Sequence, residues 1–120
     1  MSRTQWAFSL DEDDMVLVEA PPGIDENLRL AVETLILGFG TGSDDPRSYL
    51  REWRRCRAEA GGAAYKLGTS SAGVTRLGPE LVEIVDLYGQ FEDCTIDATL
   101  FEAILEDLAA YLDESGPEQA

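Results

Sequence analysis

The sequence predicts an α+β domain, an antiparallel sheet of about five strands with two to three helices packed on one face. Three observations carry that expectation. Strand-like and helix-like segments do not alternate strictly but run roughly ββααβββα. Apolar residues recur with period two in the short segments and near 3.6 in the long ones. Pro21-Pro22-Gly23, Gly61-Gly62 and Gly78-Pro79 punctuate them. At 120 residues the chain fits one domain, expected over residues 1–114, with a polar tail at 115–120.

Trp6 to Leu10 alternates apolar with small or polar residues, as a half-buried strand does. Asp11-Glu12-Asp13-Asp14 reads as a solvated turn, and Met15 to Glu19 as the second arm of a hairpin. Asp25 offers an N-cap with Glu26 in the first turn, and Leu28, Ala31, Val32, Leu35, Ile36 and Phe39 follow at helical spacing. Gly38 to Pro46 is a loop, and Asp45-Pro46 opens a second helix with an acceptor followed by proline at its first position. Tyr49, Leu50, Trp53 and Cys56 form its apolar stripe. Ala64 to Gly68 and Val74 to Leu77 read as short strands. Residues 81–88 suit either a strand or a two-turn helix, and their β-branched content favours the strand. Asp97 or Thr99 caps the last helix, whose face is Leu100, Phe101, Ile104, Leu105, Leu108 and Leu112; Thr99 with Glu102 would make a capping box. Asp113 onward is expected to fray.

Charge is the most informative property. Nine Lys and Arg face 24 Asp and Glu, for a net charge of −15. Five of the nine, Arg47, Arg51, Arg54, Arg55 and Arg57, fall in one segment. From Leu77 onward there is no Lys or Arg but there are twelve carboxylates. A negative field of this kind has two readings, a solvated face that keeps the chain soluble or a docking surface that selects cationic partners, and it argues against binding nucleic acid. The arginines have two readings: internal counterweights, with Arg51, Arg54 and Arg55 pairing with Glu52, Glu59 or the last helix, or a positive patch for a phosphate or an acidic partner.

Several chemistries are disfavoured. Histidine is absent, which removes Ser-His-Asp and Cys-His arrangements and histidine metal sites. Cys56 and Cys94 lie far apart and outside any Cys-x-x-Cys pair, so reduced thiols are expected rather than a disulfide or zinc site. The acidic residues around Cys94 would raise its pKa. Gly38-Phe39-Gly40-Thr41-Gly42 follows a helix and lacks Gly-Lys-Ser/Thr, so it is not a phosphate loop. Asp11 to Asp14 lacks the ligand alternation of a calcium loop. The expectation is no enzyme, no cofactor and no metal. No apolar run is long enough to span a bilayer, and the N-terminus lacks the apolar core of a secretory signal. A cytoplasmic location without membrane partners is therefore expected.

Asp86-Leu87-Tyr88-Gly89-Gln90-Phe91-Glu92-Asp93 running on to Phe101-Glu102-Ala103-Ile104-Leu105-Glu106-Asp107-Leu108 resembles small acidic bacterial immunity-type proteins of toxin–immunity systems. The likeness covers only the C-terminal third, and no functional residue carries over by identity. It implies a stoichiometric inhibitor that docks on a basic toxin. On this reading the partner-binding residues are Glu83, Asp86, Tyr88, Phe91, Glu92, Asp93, Glu102 and Glu106, with Tyr88 and Phe91 as apolar anchors. Alternatives of other classes are a small accessory subunit of a complex, homodimeric in one form, and a DNA-mimic regulator. The sequence sets no oligomeric state.

Overall fold

The structure, a computed structural model, describes residues 5–39, 44–61 and 63–115. Residues 40–43 of the expected glycine loop, Gly62 of the expected Gly61-Gly62 helix stop and residues 116–120 of the expected tail lie outside the described residues. The fold is α+β. The elements are β1 (Ala7–Leu10), β2 (Val16–Glu19), α1 (Glu26–Leu37), α2 (Asp44–Ala60), β3 (Tyr65–Lys66), β4 (Ala72–Arg76), β5 (Leu81–Asp86), β6 (Cys94–Asp97) and α3 (Ala98–Ser115).

The single sheet of about five strands is corrected to two antiparallel sheets. β1 and β2 form a hairpin of their own, and β3-β4-β5-β6 form a four-stranded meander. The hairpin stays separate because α1 occupies its edge. The Val18 N–H donates to Glu33 Oε2 at 2.9 Å, and the Val18 carbonyl accepts from Arg29 Nη1 at 3.1 Å. Two side chains of one helix thus supply the partners that a neighbouring strand would provide. The sixth strand, β6, was not anticipated. Ile96 is buried between exposed Thr95 and Asp97, a period-two signal too short to stand out. Leu81 to Asp86 is a strand, paired with β4 through Val82↔Arg76 and Ile84↔Val74.

Alternation along the meander sets its two faces. Ala72, Val74, Val82, Ile84 and Ile96 are buried, and α1 and α3 pack against these strands. Thr75, Glu83 and Val85 on the other parity are half-buried, and Leu81 is 43% exposed. The centre of the core is aromatic. Trp53 is fully buried, with ring centroids 4.9 Å from Phe101, 5.0 Å from Tyr65 and 5.9 Å from Tyr49. Trp6, just before β1, is buried as well.

Local signals act as the residue types dictate. Asp25 accepts from the Asn27 N–H, capping α1. At its far end the Thr34 and Leu35 carbonyls accept from the Ser71 and Thr69 hydroxyls. This approach needs Gly38, where a Cβ would lie 2.7 Å from Ser71 Oγ. α3 is capped by Asp97, whose Oδ2 accepts from the Leu100 N–H at 3.0 Å. Thr99 therefore lies inside the helix, and the proposed Thr99–Glu102 box does not form. Asp113, expected to fray, is helical and pairs with Arg47.

Candidate partner-binding site

The segment between β5 and β6 is a tied loop. At the end of β5, Asp86 Oδ1 accepts from the N–H groups of Gln90 (3.0 Å) and Tyr88 (3.2 Å), and Oδ2 from Gly89 (2.8 Å). Gly89 has φ +76°, a conformation that favours glycine. These donors, the Gln90 amide foremost, hold the Asp86 carboxyl below its usual range. Asp93 Oδ1 accepts the Asp86 N–H at 2.8 Å. From α1, the Asn27 side chain exchanges two hydrogen bonds with the Glu92 backbone, both 2.8 Å. Asp86, Asp93 and Asn27 together fix the loop in place.

What it presents follows. Tyr88 is 69% exposed and Leu87 49% exposed. Glu92 and Asp93 are exposed, and Glu83 lies half-buried on the outer face of β5. Asp97 stands exposed at the end of β6, opposite Leu81. Among the described residues, none of these carboxylates lies in an ion pair. Phe91 differs from expectation: it is buried at 8% exposure and belongs to the core, so it is no exposed anchor. Leu87 was overlooked; it follows the outward positions Leu81, Glu83 and Val85 two by two, a parity that points to it. The Cys94 thiol nearby is pushed up by burial first, then by the carboxylates of Asp25, Asp93 and Glu83.

Glu102 and Glu106 belong to a different place. Both face α2, where Arg54 Nε donates to Glu102 Oε1 (2.9 Å) and Arg54 Nη2 to Glu106 Oε2 (3.0 Å). Glu102 Oε2 accepts from Trp53 Nε1 and from Arg57 Nη1, each at 3.2 Å. Arg76 Nη1 stands 3.9 Å from the same oxygen. The carboxylate is 12% exposed and enclosed by cations. The remaining arginines divide. Arg47 pairs with Asp113, Arg55 pairs with Glu52 and Glu59, and Arg51 donates to the Ser48 hydroxyl. Most of the arginine island thus pairs with the chain's own carboxylates along α2 and the α2–α3 seam.

The eight expected contact residues therefore do not form one surface: most of them divide between the two ends of β5, a strand about 17 Å long at the usual rise per residue. Asp86, Tyr88, Glu92 and Asp93 gather at one end, with the buried Phe91 beside them, while Glu83 stands mid-strand on β5, opposite Thr95. Glu102 and Glu106 sit at the other end, inside the arginine seam. Which carboxylates fold inward was not readable from composition, because the pairing spans 45 to 52 residues of chain.

No group of three or more Cys, Asp or Glu among the described residues is placed to hold a metal ion. No helix among them is long and apolar enough to cross a membrane. The chain matches no protein-family model, and neither a curated protein nor a solved structure is detectably similar to it.

Proposed function

We propose that this chain is a non-catalytic binding protein that docks on a basic protein partner through the Tyr88 end of the meander. Its most specific form is an immunity-type inhibitor that occludes the cationic cleft of a toxin in the cytoplasm. The observation that carries this reading is Tyr88, 69% exposed on a tied loop between carboxylates that lack a cation. A large amphipathic ring already held in place loses little entropy on binding, and such residues dominate interface energetics. Glu83, Glu92 and Asp93 then set partner charge and approach. Glu102 and Glu106 take no part, because arginines already satisfy them.

The test is a pull-down from lysate of the source organism at low and moderate salt. Three baits are compared with the parent: Tyr88→Ala, Glu83→Lys with Glu92→Lys, and Glu12→Lys in the β1–β2 turn. Asp93 is left intact because it ties the loop. A basic partner retained by Glu12→Lys and lost by the other two supports the reading. Equal capture by all three overturns it.

One observation favours a second reading, a homodimeric accessory subunit. Leu77 and Leu81 are 44% and 43% exposed on the outer side of the meander. Light scattering across a concentration series distinguishes the two, since docking on a foreign partner needs no self-association.

A further inference from the structure

β6 ends the meander, and the ladder shows which of its backbone groups face outward. The Ala98 N–H donates to the Glu80 carbonyl and the Leu77 N–H to the Leu81 carbonyl, both at 2.9 Å. In an antiparallel ladder bonded pairs alternate with unbonded ones. Even-numbered residues of β5 therefore bond β6, through Val82↔Ile96 and Ile84↔Cys94, and odd-numbered ones bond β4. Thr95 and Asp97 belong to the unbonded pairs. Their N–H groups and the Thr95 carbonyl point away from β5. Nothing pairs with these groups among the described residues, and both residues are exposed. The contrast with β2 is direct, since there two side chains of α1 bond the outward N–H and carbonyl of Val18.

Charge decides what can fill this edge. Asp93, Thr95 and Asp97 share one parity, and Glu83 stands opposite Thr95 on β5. None of these three carboxylates lies in an ion pair among the described residues. A second copy of the chain, paired antiparallel about Thr95, would set Asp93 of each copy against Asp97 of the other. Like charges directly opposite one another destabilise a ladder. A strand with Lys or Arg at those two positions meets opposite charges instead.

We propose that the β6 edge takes an extended basic segment of the protein partner as a fifth, antiparallel strand. This rests on the docking function proposed above and names its form of contact. Asp93 belongs to the Tyr88 loop and immediately precedes β6, so loop and edge make one continuous surface. Backbone bonds to Thr95 and Asp97 supply affinity and register, and the carboxylates select basic residues two positions to either side of the one opposite Thr95.

The probe is the peptide acetyl-Lys-Val-Thr-Val-Lys-amide, whose central Thr opposes Thr95 and whose lysines oppose Asp93 and Asp97. Titrated into isotope-labelled protein, it should shift the amide resonances of Thr95 and Asp97 saturably. The same peptide N-methylated at its central Thr keeps its charge but loses the donor to the Thr95 carbonyl, and should bind about fivefold more weakly. Thr95→Pro removes an N–H that faces solvent, where an edge strand tolerates proline, and should weaken the unmodified peptide by a similar factor. Circular dichroism checks that this variant is folded, and the N-methylated peptide decides the matter on the parent chain if it is not. Equal affinity of the two peptides would reduce the effect to charge attraction and overturns the proposal. Absence of a saturable shift at Thr95 and Asp97 to about 20 mM peptide overturns it too. Docking itself is judged separately by the pull-down: a basic partner lost by Tyr88→Ala but kept by Thr95→Pro leaves docking standing and removes the added strand.

Discussion

The indole Nε1–H of Trp53 donates to Glu102 Oε2 at 3.2 Å, joining the centre of the aromatic core to the middle of the arginine seam. The ring is fully buried and the carboxylate nearly so. One acidic side chain thereby orients the largest core residue and compensates guanidiniums from α2 and β4. Removing it leaves the indole N–H and Arg57 without that acceptor, and Arg54 with Glu106 alone.

Glu102→Ala should therefore be strongly destabilising. Breaking a buried pair from one side costs about 3–5 kcal/mol, and the half-wet Arg54 and Arg57 place the expected loss near the lower end. Glu102→Gln keeps an acceptor for Trp53 and should lose less. Glu106→Ala removes a wetter contact and should cost about 0–1 kcal/mol. Urea unfolding followed by tryptophan fluorescence ranks the three. Equal midpoints for Glu102→Ala and Glu106→Ala would contradict the central place given to Glu102.

The docking loop should be acid-sensitive in a defined way. Asp86 has a folded-state pKa held below its ordinary value of 3.8 by backbone N–H groups. Its contribution is thus complete above that ordinary value and disappears as pH falls through the depressed folded value. The amide resonances of Gly89 and Gln90 should titrate with a midpoint below 3.8. Asp86→Asn should abolish that titration and speed exchange of the same amides at neutral pH. A midpoint at or above the ordinary value would show that the carboxylate is not held as described.

Gly38→Ala should destabilise the chain although its φ of −69° suits any residue. The added Cβ would meet Ser71 Oγ at 2.7 Å and Thr69 Oγ1 at 2.8 Å, displacing the hydroxyls that cap α1. Loss of a helix cap with local crowding is worth about 1–2 kcal/mol. Thermal unfolding measures it. The double variant Gly38→Ala/Ser71→Ala should recover part of the loss, since one of the close contacts is relieved while the Thr69 contact remains.

Cys94 should react slowly with a disulfide reagent at pH 8 compared with the same thiol in urea-unfolded chain. Burial and three carboxylates raise its pKa, so less thiolate is present. In a Cys56→Ala background, Glu83→Gln should speed the reaction by removing one of those charges. A rate unaffected by Glu83→Gln would leave burial as the sole cause.

The helices were legible in the sequence because periodicity and caps are local. Asp25 and the apolar stripe of α1 act as their spacing implies, and β-branched content correctly favours a strand at Leu81 to Asp86. What was not legible depends on partners distant in the chain. The hairpin is a separate sheet because Arg29 and Glu33 satisfy Val18, which no window of sequence reveals. Phe91 and Tyr88 are both aromatic residues in an acidic stretch, and only the Asp86 turn decides that one is buried and the other exposed. Glu102 reads as one more surface acid until α2 is laid against it.

The segregation of the arginines has a consequence for motion in solution. The arginines of α2 hold Glu102, Glu106 and Asp113 in pairs, while Glu83, Glu92, Asp93 and Asp97 carry their charge along the meander outside any ion pair among the described residues. Under the proposed function, a positively charged partner would feel these carboxylates before contact and be turned towards them. Orientation, usually the slow part of finding a partner, is then partly accomplished at a distance. Added salt, by shortening the reach of that attraction, should slow encounter more than it weakens the finished contact.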